Sequence, residues 1–199
     1  MRMIVVDGGP GGGKTTINRV LQDRFAGRAL FVPEAATVLL GGGFPRPGRG
    51  IENWSQEWQD KFQAAVFACT TQLEEVFVME AKRLGIKNLV CDRGRRTGVA
   101  YAAHGDEGLF LRRFNLNSNE ENERYFAVLH LQSTAIGAPE AYGTYNNDNR
   151  FEPVDVARKL ESRTLFAWRE HPNRKILNCE GGIEGKIHAA IEFVGANLE

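Results

Sequence analysis

A glycine-rich loop between a strand and a helix is the feature that most constrains what this chain can fold into. Residues 8–15 read GGPGGGKT and fit the pattern G-x-x-x-x-G-K-[ST]. Residues 3–7, which are apolar up to Asp7, predict a short strand before the loop, and residues 16–25 predict a helix after it. This order of strand, loop and helix is the context in which the pattern marks a phosphate-binding loop.

The chemistry of such a loop predicts a site for a nucleoside triphosphate and Mg²⁺. Glycines let successive backbone N–H groups turn toward a phosphate, and the following helix adds its positive N-terminal dipole. We predict that Lys14 contacts the β- and γ-phosphates and that the Thr15 hydroxyl binds Mg²⁺. The alternative is a glycine-rich turn without a ligand, which the flanking strand and helix disfavour. The predicted nucleotide-binding residues are Gly9, Gly11, Gly12, Gly13, Lys14, Thr15 and Thr16.

Composition limits the class of protein. The 199 residues, of which 42% are apolar, predict one domain over residues 1–199. Lysine and arginine number 25 and so do aspartate and glutamate, so the net charge is zero, which argues against general nucleic-acid binding. The three cysteines show no metal or disulfide spacing. The sequence has no signal-peptide pattern and no apolar run near the ~18 residues that a membrane span needs. We therefore expect a cytoplasmic protein that does not bind a membrane.

Strands and helices are predicted to alternate along the chain. The predicted strands are residues 3–7, 28–32, 87–91, 125–131 and 174–178. The predicted helices are residues 16–25, 57–84, 96–104, 106–114, 153–171 and 183–197, and residues 41–50 and 133–152 are predicted loops. This alternation indicates an α/β fold with a parallel sheet and helices on both faces. Ligands of such sheets bind beyond the carboxyl ends of the strands.

Charged residues follow the second and third predicted strands. Glu34 is a candidate general base for an attacking hydroxyl, or else a helix cap or surface carboxylate. Asp92 is a candidate Mg²⁺ ligand, directly or through water. Arg93 is a candidate ligand of phosphate oxygens, or else pairs with Asp92 to lock the loop. The sequence leaves open which of Glu34 and Asp92 is the base and which is the metal ligand.

A lid is predicted at about residues 137–170. Arg150 lies in its loop, where a mobile cation can close over the phosphoryl oxygens in the transition state. The following helix carries Arg158 and Arg163, for which a solvated helix face is the favoured interpretation. The start of the long helix carries Trp54, Trp58, Gln59 and Gln63, whose rings and amide groups suit a flat ring as acceptor. Trp58 and Phe62, four residues apart, are more typical of plain core packing.

Four segments together resemble a known family. They are GGPGGGKTT at 8–16, VPEAA at 32–36, CDRG at 91–94 and YNNDNRFE at 145–152. They are similar to the AAA-domain P-loop family related to the ribosylnicotinamide-kinase domain of the bacterial NAD-synthesis regulator, within the P-loop kinase group of deoxynucleoside and thymidylate kinases. The resemblance implies a three-layer αβα P-loop NTPase with a five-stranded parallel sheet in the order 2-3-1-4-5 and a small lid.

The resemblance also implies a function. It implies a kinase that transfers the γ-phosphate of ATP, with Mg²⁺, to a nucleoside, riboside or nucleotide-like acceptor, and we expect a monomer or homodimer. Lys14, Glu34, Asp92, Arg93 and Arg150 match the family's functional positions. The chain departs from the family at residues 36–37, where an arginine is common, and in the glycine-rich loop 41–50. The alternative function is a nucleotide-dependent switch or binding protein with slow hydrolysis and no acceptor.

Overall fold

Five parallel strands form one sheet in the order β2-β3-β1-β4-β5, which confirms the predicted order. The computed structural model describes residues 1–46, 55–102, 104–143 and 153–199. The strands are β1 Arg2–Asp7, β2 Leu30–Val32, β3 Asn88–Asp92, β4 Ala127–Leu131 and β5 Arg174–Leu177. Within the described ranges, no helix is both long enough and apolar enough to cross a bilayer.

Helices connect the strands. They are α1 Lys14–Arg24, α2 Ala35–Gly41, α3 Gln56–Leu84, α4 Gly98–Ala102, α5 Glu107–Phe114, α6 Ser118–Glu123, α7 Thr134–Gly137, α8 Val154–Ala167 and α9 Gly182–Asn197, with 3₁₀ turns at Arg95–Thr97 and Pro139–Ala141. The long helix α3 begins at a cap, because Ser55 Oγ accepts a hydrogen bond from the N–H of Trp58, and it ends at Gly85 with a positive φ of 71°.

The central strand β1 separates two hydrophobic clusters. Met3 and Val5 pack with residues of α3, α4, α5 and the end of α8 on one face. Ile4 and Val6 pack with residues of α1 and α9 on the other face. Successive side chains of a strand point to opposite faces, so an uninterrupted apolar strand can bury both. The result is the predicted three-layer arrangement of helices, sheet and helices.

Parallel register brings the ends of the central strands together. Val6 is the register partner of Asp92, and Asp7 is the register partner of His130. The carboxyl end of β1 therefore lies between those of β3 and β4. The residues that follow β1 and β3 emerge at this edge, as the sequence predicted for the glycine-rich loop and for Arg93.

Several boundaries differ from the sequence expectations. Helix α7 occurs inside the predicted loop 133–152, and helices α2 and α6 occur in segments for which no element was predicted. The polar helix α6 forms because the Asn117 side chain accepts hydrogen bonds from two backbone N–H groups at its start. Helix α8 is shorter than predicted at both ends, with Pro153 before its first residue rather than inside it, and Trp168 leaves the helix with its indole turned into the core.

The end of α3 provides a stability prediction. Gly85 adopts a left-handed conformation with nothing within 4 Å of an added Cβ, so Gly85→Ala introduces backbone strain without a clash. We expect the free energy of unfolding to fall by about 1 kcal/mol, measured by urea denaturation. Gly41→Ala is the matched control, because Gly41 is helical and also has open space around an added Cβ. An equal loss in both variants would contradict the assignment of strain to Gly85.

Candidate functional site

The glycine-rich loop lies directly against the end of β4. An added Cβ at Gly8 would be 2.2 Å from the carbonyl oxygen of Leu131, and one at Gly12 would be 2.5 Å from the same atom. Gly13, which precedes α1, has a positive φ of 88°. These positions require glycine, because a side chain would either clash with β4 or strain the backbone.

The outer side of the loop is held by side chains from two other segments. Ser133 Oγ donates a hydrogen bond to the carbonyl of Pro10, and Thr134 Oγ1 donates one to the carbonyl of Gly11 at 3.3 Å. Lys186 Nζ donates to the carbonyl of Gly12 at 3.5 Å. A trans peptide points its C=O and N–H in opposite directions. Fixing these carbonyls outward therefore turns the following N–H groups toward the inside of the loop.

The inner side of the loop presents unpaired N–H groups. Among the described residues, the backbone N–H groups of Gly11, Gly13, Lys14 and Thr15 have no hydrogen-bond partner. A ring of such groups at the start of a helix is a site for an anion such as a phosphate. The predicted nucleotide-binding residues are thus brought together around one loop, and nucleotide binding by them remains a prediction.

Lys14 spans the entrance of the loop. Its Nζ donates to the carbonyl oxygens of Gly8 at 2.8 Å and Gly9 at 2.9 Å. Burial, followed by the positive charge of Arg93, lowers the pKa of Lys14 to about 8. The ammonium group is therefore still mostly charged at neutral pH and lies where a phosphate in the loop would meet it.

Glu34 and Arg93 form a close ion pair beside the loop. Arg93 Nε lies 2.5 Å from Glu34 Oε1, and Thr37 Oγ1 donates to Glu34 Oε2 at 2.6 Å. Burial opposes ionisation of Glu34, but Arg93 and Thr37 outweigh it and lower its pKa. Glu34 precedes α2, yet its carboxylate makes no cap hydrogen bond to that helix. Its carboxylate therefore acts through the ion pair and not as a helix cap.

Arg93 is held in an unusual conformation. Its φ is 71°, a left-handed value that is costly for a residue other than glycine. Its guanidinium lies 5.0 Å from the ring centre of Tyr101, and its Nη1 is 3.6 Å from Asp7 Oδ1. The sequence analysis considered an Arg93–Asp92 pair that locks the loop. The structure does not contain that pair, because Arg93 forms its ion pairs with Glu34 and Asp7.

Asp92 carries an unpaired carboxylate oxygen. Its Oδ1 is buried and has no hydrogen-bond partner in the described part of the chain. Burial, followed by the negative charge of Glu34, raises the pKa of Asp92 to about 6. No group of three or more His, Cys, Asp or Glu side chains suited to a metal occurs among the described residues. Mg²⁺ bound with phosphates needs only one or two protein ligands, so Asp92 and the exposed Thr15 fit such an ion.

A cavity of about 1030 Å³ extends from the loop to the aromatic start of α3. Trp58 and Phe62 line it, and their rings stack with centroids 4.9 Å apart. Gln59 and Gln63 line it as well. Trp58 thus combines the two sequence interpretations, because it packs on a core residue and also borders the cavity. Trp54 lies outside the described residues.

The helix α8 supplies cations to the same cavity. Lys159 and Arg163 line it, while Arg158 Nε donates to the carbonyl of Ala135 at 2.9 Å. The solvated helix face that the sequence favoured fits the exposed Arg158, whereas Arg163 is half-buried beside the cavity. Lys159 was not identified from the sequence. The candidate lid residue Arg150 lies outside the described residues.

Buried residues behind the loop were missed by the sequence analysis. Asp7 is fully buried and accepts hydrogen bonds from the N–H of Gly8, Thr97 Oγ1 and Trp168 Nε1 at 2.6–2.8 Å. Its position as the last residue of an apolar strand before the loop was the available signal. Glu161, which accepts from the N–H of Gly9 at 2.8 Å, gave no such signal within its helix.

A comparison with known protein families assigns the chain to a family over most of its length. A sequence model of the AAA domain matches residues 3–186. The chain belongs to the AAA-domain family. This result confirms the resemblance that the four sequence segments indicated. No curated protein matches this AAA-domain chain.

Among solved structures, the AAA-domain chain is similar to a deoxyadenosine kinase from M. mycoides with bound dATP. The sequence identity is 13%, the TM-score is 0.62, and the alignment covers 98% of this chain and 100% of that chain. Similarity at this low identity shows a shared fold. The AAA-domain chain therefore has a P-loop kinase fold, as predicted.

The raised pKa of Asp92 gives a testable stability effect in the absence of ligands. Its pKa is above the ordinary value of 3.8, so the ionised carboxyl costs stability at and above pH 6, and this cost disappears as the pH falls toward 4. We expect Asp92→Asn to raise the free energy of unfolding at pH 7.5, by at most about 3 kcal/mol. The measurement is urea denaturation at pH 7.5 and pH 4.5 without nucleotide or metal.

The exposed Asp23→Asn serves as the control for Asp92→Asn. We expect the control to be unchanged at both pH values. Two results would contradict this prediction. Either Asp92→Asn has the same free energy of unfolding as the wild type at pH 7.5, or it gains as much stability at pH 4.5 as at pH 7.5.

Proposed function

We propose that this AAA-domain protein is a Mg²⁺-dependent kinase that transfers the γ-phosphate of ATP to the hydroxyl of a nucleoside, riboside or nucleotide-like acceptor. The observation that carries the proposal is the shared cavity. The glycine-rich loop, the carboxylate of Glu34 and the aromatic ring of Trp58 all line it. A phosphate donor, a proton acceptor and a platform for a flat ring are thus available in one space.

The donor end of the cavity is suited to a triphosphate with its metal. The unpaired N–H groups of the loop and the ammonium of Lys14 would bind the phosphate oxygens. Thr15 and Asp92 would hold Mg²⁺, whose chemical contribution in such sites is to neutralise charge on the phosphates. Asp92 suits this role because its buried Oδ1 otherwise has no partner among the described residues.

Glu34 is the proposed general base. It lines the cavity, and its lowered pKa keeps it ionised at neutral pH. Its hydrogen bonds with Arg93 and Thr37 orient the carboxylate, which leaves lone pairs for an acceptor hydroxyl. This assignment gives Glu34 the proton and Asp92 the metal.

The acceptor end and the lid complete the proposed site. Trp58, Gln59 and Gln63 offer a ring face and amide groups for a flat heterocycle, and the similarity to a deoxyadenosine kinase supports an acceptor of this kind. Lys159 and Arg163 would bind oxygens of the transferred phosphoryl group. The segment 137–170 would form the lid within a single domain, with Arg150 as a further cation.

One observation favours the second candidate function, a nucleotide-dependent switch. Both carboxylate oxygens of Glu34 already have hydrogen-bond partners, Arg93 and Thr37. In a switch, which has no acceptor, the Glu34–Arg93 ion pair would serve only to hold the loops in place. The two functions are separated by measuring ADP formation from Mg·ATP with a panel of nucleosides, ribosides and nucleotides. A kinase requires that at least one acceptor accelerates ADP formation about tenfold or more. Tight ATP binding with uniformly slow hydrolysis across the panel would instead indicate the switch.

Lys14→Ala tests the donor end. Removing a charged hydrogen-bond donor to phosphate costs roughly 1.5–3 kcal/mol, so we expect the affinity for Mg·ATP to fall about 10- to 150-fold in calorimetry. Lys82→Ala, at an exposed position of α3, is the control and should bind as the wild type does. Unchanged affinity of Lys14→Ala would remove the loop from the proposed site.

Glu34→Gln tests the proton acceptor. The amide keeps a similar shape but cannot take a proton, so we expect kcat to fall roughly 10²- to 10⁴-fold with little change in Mg·ATP affinity. The exposed Glu75→Gln is the matched control. If kcat and affinity fall together in Glu34→Gln, the carboxylate orients the site and does not act as the base.

A further inference from the structure

A buried carboxylate touches the glycine-rich loop from behind. Glu161 of α8 has almost no exposed surface. Its Oε2 accepts a hydrogen bond from the N–H of Gly9 at 2.8 Å, and its Oε1 lies 2.9 Å from Nε2 of the buried His130. A buried carboxylate needs such partners, so Glu161 is fixed in place by the loop on one side and by β4 on the other.

The peptide that Glu161 binds is also bound from its opposite side. The carbonyl of Gly8 accepts from Lys14 Nζ at 2.8 Å, and the N–H of the same peptide belongs to Gly9 and points at Glu161. The C=O and N–H of a trans peptide are rigidly opposed. The orientation that Glu161 imposes on the N–H is therefore also the orientation of the carbonyl that holds Lys14.

The peptide between Gly8 and Gly9 needs the hydrogen bond to Glu161, because it has a glycine on each side. Without Cβ atoms the peptide between Gly8 and Gly9 has easy access to other orientations, so the local backbone does not fix it. The contact is also close, because an added Cβ at Gly9 would be 2.5 Å from Glu161 Oε2 and 3.0 Å from its Cα. Helix α8 and the loop thus meet at this point.

We propose that Glu161 is a positioning residue for Lys14, acting through the peptide between Gly8 and Gly9. This inference rests on the proposed role of Lys14 in binding nucleotide phosphates. Because α8 also carries Lys159 and Arg163 into the cavity, the same helix that brings these cations sets the position of the ammonium group in the loop. Glu161 itself faces away from the cavity and has no contact with the reacting groups.

We call the action of Glu161 on Lys14 through the Gly8–Gly9 peptide the relay, and a double-mutant cycle with Lys14 tests it. Glu161→Met keeps most of the side-chain volume but cannot accept a hydrogen bond. We expect it to lower the affinity for Mg·ATP about tenfold when Lys14 is present and less than about twofold in the Lys14→Ala background, because the effect passes through Lys14. Glu161→Gln retains an acceptor for the N–H of Gly9 and should stay within about threefold of the wild type. The exposed Glu123→Ala is the control.

Equal losses in the two backgrounds, or no loss with Lys14 present, would overturn the relay. The first result would mean that Glu161 supports the loop in general and does not act through Lys14. Calorimetry of Mg·ATP binding requires no acceptor, so the relay can hold even where the search for an accelerating acceptor fails. Glu161→Ala provides a second variant if Glu161→Met does not give a cooperative unfolding transition.

A second measurement needs no nucleotide. Lys14 donates hydrogen bonds to two carbonyls, and such bonds favour the ammonium form, which does not react with an acylating agent. We expect Glu161→Met or Glu161→Ala to raise the rate of Lys14 acetylation by acetic anhydride about threefold or more, relative to the exposed Lys82 in the same sample, as measured by peptide mass spectrometry. Glu161→Gln should leave this ratio near the wild-type value. An unchanged ratio in the Met and Ala variants would overturn the proposal.

Discussion

The buried carboxylate of Asp7 joins the parts of the molecule on which the site depends. It accepts hydrogen bonds from the loop at Gly8, from the turn after β3 at Thr97 and from the end of α8 at Trp168, and it lies 3.6 Å from the guanidinium of Arg93. A fully buried charge is tolerated only when it is paired and hydrogen-bonded. The loop, the strained Arg93 turn and the helix α8 therefore have a common anchor at the end of the central strand.

The pKa shifts around this anchor agree with the proposed ligand, an anionic nucleotide with its metal ion. The pKa of Lys14 is lowered and the pKa of Asp92 is raised, because burial works against the charged form of both groups. A phosphate beside Lys14 would favour the ammonium, and a cation beside Asp92 would favour the carboxylate. Opposite shifts of this kind on neighbouring groups are more typical of a binding site than of a structural ion pair, in which both partners favour the charged form.

The sequence predicted the strands and the edge where the site lies, because those follow from local pattern and from the rules of parallel sheets. The strand order was predicted from the resemblance to the P-loop family. Lys14 was found from the pattern of the glycine-rich loop, and Glu34 and Arg93 were found because they come just after strands. Lys159 and Glu161 could not be assigned, since both lie on one helix and the sequence does not reveal how that helix is rotated against the sheet. The ion pairs of Arg93 with Glu34 and Asp7 likewise depend on distances across the fold that no local pattern encodes.

The choice between a kinase and a switch depends on how the Glu34–Arg93 pair behaves when the cavity is filled. In a kinase, Glu34 must accept a proton while keeping its orientation, which requires that its hydrogen bonds with Arg93 and Thr37 leave a lone pair directed at the acceptor. In a switch, the same pair would only hold the segments after β2 and β3 together. The aromatic and amide side chains at the start of α3 favour the first arrangement, because a switch that recognises phosphates alone has no need of a ring-sized space beyond Glu34.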